Sequence, residues 1–342
     1  MAAAQAVDVL IVSLGSTAGL RAADEELRGA LERAGASAAL AHASAPARRR
    51  TLMLTDLAWA RAARAAARAE LARRPARAVI YSSTTAALLW PRAGAIRFDA
   101  TAAGNRPGRH GLWQRPLERR RLGQAPLLLP WSEGALSETP GLALGGVRVQ
   151  VLPVPVETGR EDAPAARDLA ALTYAANPSK KGLDRVLAAW RSVRAERGAG
   201  GELIVAGASG SELRATGLLG GAEEGVRVVG ALPREEYRAL LRRARVFVCA
   251  PRREDYGIAQ LEALAEGCLL VSTPAPGPYV ALSIARALDP RLIDADLSRA
   301  LRVALEDPAP DYAERARAAL APFTRARCDE LVAEELLPRL LG

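Results

Sequence analysis

The sequence is poor in the residues that build metal centres and disulfide frameworks. Its 342 residues include three cysteines, two histidines and two lysines, and 4% are aromatic. Cys249, Cys268 and Cys328 follow neither a metal-ligand nor a disulfide spacing, and the first two lie in apolar runs, as core residues of a reduced protein do. The run of roughly 20 apolar residues that a membrane-spanning helix needs is also missing. These shortages leave a globular protein in which we expect no metal.

The amino-terminal segment lacks the pattern of a secretory signal. The residues MAAAQAVDVLIVS carry no basic side chain ahead of the apolar stretch and lead directly into a strand-like run. Because secretory signals begin with a basic region, we expect the protein to be cytoplasmic.

The net positive charge is confined to the first half of the chain. Residues 1–158 hold 21 arginines and 12 acidic residues, which accounts for the whole net charge of +9, whereas residues 159–342 hold 26 basic and 26 acidic residues. This asymmetry favours an anionic partner for the first half: a phosphorylated acceptor, an anionic lipid surface or nucleic acid. The alternative interpretation is an arginine-rich solvated surface without a partner.

Strand-like and helix-like segments alternate along the whole chain, which is typical of parallel sheets covered by helices. The strand-like runs are residues 7–13, 78–81, 95–98, 127–129, 147–152, 169–174, 203–206, 226–229, 246–250 and 269–272. A polar stretch, residues 157–164, separates two series of such runs and is predicted to be a linker. The sequence therefore predicts an α/β fold of two tandem Rossmann-like domains that face each other across a cleft.

The expected domains are residues 1–156 and 157–325, with a terminal helix over residues 326–342 that packs back on the first domain. Ligands of open α/β sheets bind at the carboxyl ends of the strands. The side chains that follow the predicted strands are therefore the candidates for function.

Two glutamates mark the most informative segment, residues 251–267, which follows a predicted strand and leads into a helix. Glu254 lies in the loop and Glu262 in the first turns of the helix, with seven residues between them. Gly257 lets the backbone approach a ligand closely, and the helix start offers free N–H groups to an anion. Carboxylates in this arrangement suit the hydroxyls of a sugar or a ribose. The alternative is a solvated acidic pair at a helix amino terminus, where acids are favoured in any case.

Both lysines of the chain lie side by side within residues 177–184, after another predicted strand. A lysine just before a helix is well placed for a diphosphate, because its charge and the helix dipole act together. The alternative is a pair of solvated lysines in a turn. Since the chain otherwise uses 45 arginines, the placement favours a specific role for Lys181, with Lys180 assisting it.

The glutamate segment resembles the E-x7-E motif of GT-B glycosyltransferases, most closely the retaining family 4, in which Glu-Gly-Phe-Gly precedes Leu-Glu-Ala. This sequence has Glu-Asp-Tyr-Gly from Glu254 and Leu-Glu-Ala around Glu262. The lysine segment resembles the Lys-Gly turn of the same family. The resemblance is specific over residues 168–273. It implies that Glu254 contacts the transferred sugar, Glu262 the ribose and Lys181 the phosphates of a nucleotide-sugar.

One departure from the family pattern concerns a second phosphate ligand. Family members usually carry an arginine five or six residues before the lysine, where this sequence has Ala175 and Ala176. The cations nearest to the motifs, Lys180, Arg252 and Arg253, are the candidates to replace it.

The resemblance assigns functional residues to both halves of the chain, with Lys181 and Glu254 as the catalytic pair. The implied donor-binding residues are Gly15, Gly19, Lys180, Lys181, Val229, Glu254, Tyr256, Gly257, Ile258 and Glu262. The first half is expected to hold the acceptor through Asp99 and His110. A single loop histidine is, however, more often a surface residue than a catalytic one.

The sequence as a whole predicts a retaining, metal-independent, hexosyltransferase-like enzyme that moves a sugar from a nucleotide-sugar to an anionic or lipid-linked acceptor. The nucleotide-sugar is a co-substrate, and we expect no cofactor and no nucleic-acid partner. Under this interpretation the basic first half contacts the inner face of the membrane. The alternatives are an epimerase-like GT-B enzyme and a non-catalytic sugar-nucleotide-binding protein. A nicotinamide-dependent dehydrogenase would need G-x-G-x-x-G after a strand, which this sequence lacks.

Overall fold

The computed structural model of the chain describes residues 5–47, 49–138, 146–157, 167–197, 200–221 and 223–342. It consists of two compact units. Unit 1 comprises Met1–Pro155 together with Arg325–Gly342, and unit 2 comprises Val156–Thr324. The sequence-based divisions, after residues 156 and 325, fall one residue later in each case.

Unit 1 is built on a parallel sheet of six strands in the order β2-β1-β3-β4-β5-β6. The strands are β1 Val7–Ser13, β2 Ala38–His42, β3 Ala76–Tyr81, β4 Ala95–Phe98, β5 Leu127–Pro130 and β6 Arg148–Val149. The sequence analysis missed β2, because its residues, AALAH, are mostly alanines with little β-propensity. Pairing with β1 along its full length makes this segment a strand.

Helices cover both faces of the unit 1 sheet. They are α1 Ala18–Arg33, α2 Leu52–Arg73, α3 Thr84–Ala87, α4 Ala102–Asn105, α5 Gln114–Gln124 and α6 Glu133–Ser137, with a 3-10 turn at Gly108–Gly111. The continuous apolar run of β1 is explained by this layering. Leu10 and Val12 belong to the core on one face, and Val9 and Ile11 to the core on the other. A strand buried on both faces has no solvent side that would require polar residues.

The carboxy-terminal segment returns to unit 1 as one helical stretch. Arg325–Glu330 and Leu337–Leu341 are α-helical, and the turns between them, Leu331–Leu336, are π-helical. Val332 and Leu336 join the core beside Ile11, and Arg33 Nη2 lies 2.7 Å from Asp329 Oδ1. A 3-10 turn over Ala321–Phe323 precedes this segment.

Unit 2 repeats the architecture with a parallel sheet of five strands in the order β11-β10-β7-β8-β9. The strands are β7 Leu169–Tyr174, β8 Leu203–Ala206, β9 Val226–Gly230, β10 Ala244–Cys249 and β11 Leu269–Ser272. The helices are α7 Pro178–Lys181, α8 Leu183–Arg197, α9 Gly210–Ala215, α10 Arg234–Arg243, α11 Ile258–Ala265, α12 Val280–Leu288, α13 Leu297–Glu306 and α14 Tyr312–Ala319. The predicted fold class, two α/β domains with parallel sheets, is confirmed.

Several smaller expectations concern single segments. The predicted linker, residues 157–164, lies outside the described residues except for Glu157, which forms an ion pair with Arg238. All three cysteines are buried free thiols, as the apolar runs around Cys249 and Cys268 predict for those two. Among the described residues, every helix is too short or too polar to cross a lipid bilayer.

Candidate functional site

The lysine and glutamate segments follow neighbouring strands of unit 2. β7 ends at Tyr174, and β10, its parallel neighbour, ends at Cys249. Parallel neighbours end at the same edge of a sheet, so the loops that follow them meet. Lys181 Nζ lies 2.5 Å from Glu254 Oε2, and the two side chains are 22% and 8% exposed. The structure therefore joins the two predicted catalytic residues directly.

Lys181 is positioned by a short helical turn with defined ends. The Asn177 side chain caps the turn by accepting a hydrogen bond from Lys180 N at 3.0 Å, and Pro178 supplies a helical φ at the first position. Gly182 ends the turn in the left-handed region, with φ +64°. A β-carbon at position 182 would overlap the carbonyl oxygen of Ala250, just beyond β10. Glycine thus lets the two loops touch.

Arg252 fastens the same two loops together. Its backbone N donates to Lys180 O at 3.0 Å, its Nε to Ser179 O at 3.1 Å, and its Nη2 to Asp184 Oδ2 at 2.8 Å. These three hydrogen bonds, two of them from the guanidinium, hold the Lys181 turn in place. Arg252, one of the three candidates to replace the missing arginine, therefore holds the two loops together.

The other two nominated cations share one carboxylate. Lys180 Nζ lies 3.2 Å from Asp255 Oδ2, and Arg253 Nε lies 2.9 Å from Asp255 Oδ1. With the Lys181–Glu254 pair, this edge of the sheet brings together three cations and two carboxylates. The excess of positive charge suits an anionic ligand, and at partly buried positions its field is screened less than at the open surface.

Glu254 is held from three directions. Its backbone N donates to Pro276 O at 3.1 Å, and its side chain accepts from Lys181 and from Gln260 Nε2, the latter at 3.2 Å. A β-carbon at Gly277 would overlap the carbonyl oxygen of Glu254. The Pro-Gly-Pro turn at residues 276–278 therefore packs directly against the loop of Glu254.

Gly257 and its neighbours start helix α11. Gly257 has φ +92°, and a β-carbon there would lie 2.7 Å from a ring atom of Tyr279, so both the backbone and the packing require glycine. Tyr256 is buried, and Ile258 is the first helical residue. These three residues connect the loop of Glu254 to helix α11.

Glu262 lies on α11 with different partners. Its Oε1 is 3.8 Å from Arg234 Nη2. Burial raises the pKa of the Glu262 carboxyl, and Arg234 is the strongest influence that lowers it. The charge of Glu262 in turn adds to burial in raising the pKa of Tyr174, at the end of β7, and of Tyr237. Glu262 therefore lies at the same end of the sheet as Glu254 but pairs with its own arginine.

The two positions where the resemblance places an arginine differ in burial. Ala175 is fully buried and its N donates to Ala206 O at 2.8 Å, whereas Ala176 is exposed. Gly207, with φ +91°, follows β8, and a β-carbon there would lie 2.8 Å from Ala176 N. Sequence reasoning missed Gly207, although a glycine directly after a buried strand was a usable signal. Val229 lies near the end of β9.

The predicted site residues of the first half lie in loops, in a turn and, in one case, in a helix. Gly15 is a loop glycine with φ +56°, and its carbonyl accepts from Arg21 Nη1 at 2.6 Å. Gly19, expected in a glycine-rich loop, is instead the second residue of α1, because Thr17 caps that helix by accepting from Leu20 N. Asp99 Oδ1 accepts from Ala100 N at 2.9 Å, directly after β4, and His110 is exposed in a 3-10 turn.

A buried polar cluster of unit 1 was not predicted from the sequence. Glu118, on α5, accepts from Ala102 N at 2.8 Å and is 4% exposed. Burial raises the pKa of Glu118 to about 7. Beside it, Arg106 Nε and Nη2 donate to the two oxygens of Asp56 at 2.6 and 2.9 Å. Since the hydrophobic periodicity of α5 is weak, nothing in its sequence marked Glu118 as buried.

One Asp-x-Asp tripeptide, Asp294-Ala295-Asp296, was overlooked in the sequence analysis. Such a pair of carboxylates can bind the divalent metal ion that accompanies a bound nucleotide-sugar. Here Asp296 caps helix α13 by accepting from Ser298 N and Arg299 N at 3.1 and 3.2 Å, and Asp294 Oδ1 accepts from Asp296 N at 2.9 Å. Both carboxylates are used in starting the helix. The described residues contain no cluster of three or more metal-ligating side chains.

A concavity of about 590 Å³ lies elsewhere in unit 2, between α8, α13 and the end of β11. Arg185, Ser192, Thr273 and Ser298 are among its lining residues, and none of the predicted site residues is. The concavity and the cluster of charged residues around Lys181 and Glu254 therefore lie at different places in unit 2. We assign the candidate site by its chemistry, because charged and polar groups converge on Lys181 and Glu254 and not on this concavity.

Comparisons with known proteins identify a family that resembles unit 2. Residues 169–321, a little under half of the chain and most of unit 2, match the profile of the family described as Glycosyl transferases group 1. A search of curated protein sequences found no match.

Solved structures resemble the chain over nearly its whole length. WaaG, a glycosyltransferase involved in lipopolysaccharide biosynthesis, has a TM-score of 0.70 and 15% identity, with 96% of this chain and 100% of WaaG covered. An E. coli trehalose-6-phosphate structure with UDP-2-fluoro glucose has a TM-score of 0.68 and 12% identity, with 96% and 99% covered. Sucrose-phosphate synthase from Thermosynechococcus elongatus has a TM-score of 0.67 and 16% identity, with 97% and 98% covered.

Two α/β units with parallel sheets, matched over their length by these structures, define the GT-B fold. This chain therefore has the GT-B fold. Residues 169–321, within its second unit, match the family Glycosyl transferases group 1.

Proposed function

We propose that the protein is a retaining, metal-independent enzyme that transfers a sugar from a nucleotide-sugar, with the donor diphosphate on Lys181 and the transferred sugar on Glu254. The observation that carries this proposal is the contact between Lys181 Nζ and Glu254 Oε2 at the carboxyl ends of β7 and β10. The structural neighbour with UDP-2-fluoro glucose supports the class of donor.

The charges at the site suit the charges that develop during transfer. Breaking the bond between the anomeric carbon and the phosphate oxygen leaves negative charge on the diphosphate and positive charge on the sugar. Lys181, with Lys180 and Arg253 beside it, stabilises the leaving diphosphate, and such prepositioned charge is usually the largest catalytic contribution. Glu254 accepts hydrogen bonds from sugar hydroxyls. When the donor binds, Lys181 exchanges the carboxylate for the phosphate.

The bond changes in the retaining route balance without a protein nucleophile. The acceptor hydroxyl attacks the anomeric carbon on the face from which the diphosphate leaves. The new carbon–oxygen bond forms as the old one breaks, and the departing phosphate oxygen takes the hydroxyl proton. We therefore assign no nucleophilic side chain. Glu262 is proposed to hold the ribose.

A panel of UDP-, GDP- and ADP-glucose tests this function. We expect one of them to raise the melting temperature by about 5–10 °C at a concentration about 100-fold above its Kd, because ligand that binds only the folded state stabilises it. Addition of an acceptor should release the nucleoside diphosphate at the same rate with and without EDTA, and NMR of the product should show the anomeric configuration of the donor.

Three outcomes of this panel contradict the proposal in different ways. Conversion of the donor without an acceptor indicates an epimerase-like enzyme. Binding without turnover for every acceptor indicates a sugar-nucleotide-binding protein. Loss of turnover in EDTA, restored by Mg²⁺ or Mn²⁺, shows a metal-dependent transferase.

We also propose that the acceptor is anionic or lipid-linked and that unit 1 contacts an anionic membrane. Leu52, Leu54 and Leu112 are large hydrophobic side chains that are 50%, 48% and 63% exposed. Leu52 and Leu54 begin α2, and Leu112 follows the turn Gly108–Gly111. The Asp56–Arg106 ion pair fastens these two segments to each other.

Exposed arginines flank the three leucines and complete what we call the leucine–arginine surface. They are Arg49, Arg50 and Arg109. Leucines that insert among lipid acyl chains and arginines that pair with lipid phosphates are the two components of interfacial binding. This placement favours a membrane partner over a merely solvated arginine-rich surface.

Sedimentation with lipid vesicles tests the leucine–arginine surface. We expect the protein to bind phosphatidylglycerol vesicles and not phosphatidylcholine vesicles, and salt to weaken the binding. The triple variant Leu52→Ser, Leu54→Ser, Leu112→Ser should bind at least tenfold more weakly, whereas the unit 2 control Arg286→Glu, Arg317→Glu should bind normally. Equal binding of the triple variant would contradict the proposal.

A further inference from the structure

A buried glutamine holds the carboxylate of Glu254 from the side opposite to solvent. Gln260 lies on α11 and is 2% exposed, and its Nε2 donates to Glu254 Oε2 at 3.2 Å. Its helical neighbours on the buried face, Leu261, Ala263, Leu264 and Ala265, are all apolar. An amide in such surroundings costs free energy unless it is hydrogen-bonded, so the bond to Glu254 is what justifies glutamine at this position.

The contacts of Gln260 Nε2 fix the orientation of the amide. Nε2 lies 3.8 Å from Cys249 Sγ, at the end of β10, and Cys249 Sγ lies 3.5 Å from the Tyr279 hydroxyl. The reversed amide would place Oε1 against the carboxylate of Glu254, where two acceptors would repel each other. A chain of buried groups thus leads from Tyr279 through Cys249 and Gln260 to Glu254.

The carbonyl oxygen of the Gln260 amide has no hydrogen bond that would favour the reversed orientation. Within the described part of the chain, Gln260 Oε1 is buried and accepts no hydrogen bond. The amide is therefore held on its polar side by Glu254, with a longer contact to Cys249 Sγ. The side chains of Gln260 and Glu254 position each other. Loss of the N–H donor at position 260 is therefore expected to change the orientation of the Glu254 carboxylate.

We infer that Gln260 is a positioning residue that keeps the Glu254 carboxylate turned toward the transferred sugar. The inference rests on the proposed role of Glu254. When the donor diphosphate takes over Lys181, Glu254 loses its cation. Gln260 then remains as the donor that anchors one carboxylate oxygen, and the carboxylate stays in register with the sugar hydroxyls. Gln260 lies at a position that the glutamate motif leaves undefined.

Two substitutions and two ligands test the inference. Gln260→Leu removes the donor, and Gln260→Glu replaces it by a carboxylate that repels Glu254. Titrations would use UDP, GDP and ADP with their glucose conjugates, and follow the pair that binds the unchanged enzyme. We expect Gln260→Leu to weaken the nucleotide-sugar about tenfold and the nucleoside diphosphate less than about twofold, because hydrogen bonds to charged groups are strong and this one acts only on the sugar side. Gln260→Glu should weaken the nucleotide-sugar further.

Controls separate the possible failures. Gln114→Leu changes another glutamine that is 2% exposed, in unit 1, and should leave both affinities unchanged. Glu254→Gln should reduce nucleotide-sugar affinity and turnover. If it changes neither, the proposed function of this site fails. If it changes both while Gln260→Leu keeps full nucleotide-sugar affinity, the inference about Gln260 alone is overturned. Equal weakening of both ligands by the two Gln260 variants shows general repacking and also overturns it.

Discussion

Replacing Lys181 by alanine is expected to lower kcat about a thousandfold. The ammonium group lies 2.5 Å from Glu254 Oε2. In the proposed function it stabilises the charge that develops on the leaving diphosphate. Removing one preorganised charge or donor from such a site typically costs a hundred- to a thousandfold in rate. Turnover would be measured as release of nucleoside diphosphate, with the nucleotide-sugar that the thermal panel selects.

The neighbouring lysine is the matched control. Lys180→Ala removes the same functional group from a side chain that is 45% exposed, against 22% for Lys181, and should reduce kcat about tenfold. Circular dichroism and the melting temperature would confirm that both variants fold. Equal turnover of Lys181→Ala and the unchanged enzyme, or a larger loss in Lys180→Ala, would show that the phosphates lie elsewhere.

Replacing Gly182 by alanine is expected to destabilise unit 2 by about 2–4 kcal/mol. The left-handed backbone at φ +64° costs any residue with a β-carbon about 1 kcal/mol or more. The new β-carbon also overlaps the carbonyl oxygen of Ala250, which forces the loops after β7 and β10 apart at a further cost of about 1–3 kcal/mol. Denaturant titration would measure the change in unfolding free energy.

A second glycine separates the strain from the overlap. Gly217 has φ +71°, and an added β-carbon there meets no atom within 4 Å. Gly217→Ala should therefore cost only about 1 kcal/mol. Gly182→Ala should in addition weaken donor binding, since it displaces Lys180 O from Arg252 N and with it the Lys181 turn. Equal destabilisation by the two substitutions would mean that the loops do not depend on close approach at residue 182.

Most strands of the two sheets could be predicted from the sequence, whereas one strand and one helix start could not. Strands β1, β4, β7, β8 and β11 were predicted at their observed bounds, because strands buried on both faces are short continuous apolar runs. Strand β2 was missed, since its alanines form a strand only through pairing with β1. Gly19 was assigned to donor binding together with Gly15, whereas the cap at Thr17 makes it the second residue of helix α1.

The candidate site shows the same division. Lys181, Glu254 and Gly257 were found from the sequence, because residue type and position after a strand are local properties. Glu118 and Gln260 were not found, since their burial and partners depend on segments distant in the chain. The overlooked tripeptide at Asp294 is a different kind of miss: the pattern was present, and only its hydrogen bonds showed that it starts a helix.

The sequence by itself determined the chemistry available to this protein: two lysines and two glutamates placed after buried strands, and a positive charge confined to the first half. These follow from composition and short-range pattern, which folding does not alter. Only the tertiary structure decided that Lys181 and Glu254, 73 residues apart, lie in contact. It likewise paired Glu262 with Arg234 and gave Arg252 a structural task. The physical reason is that the partners of a charged side chain depend on which loops the sheet brings to one edge, and that is settled by packing.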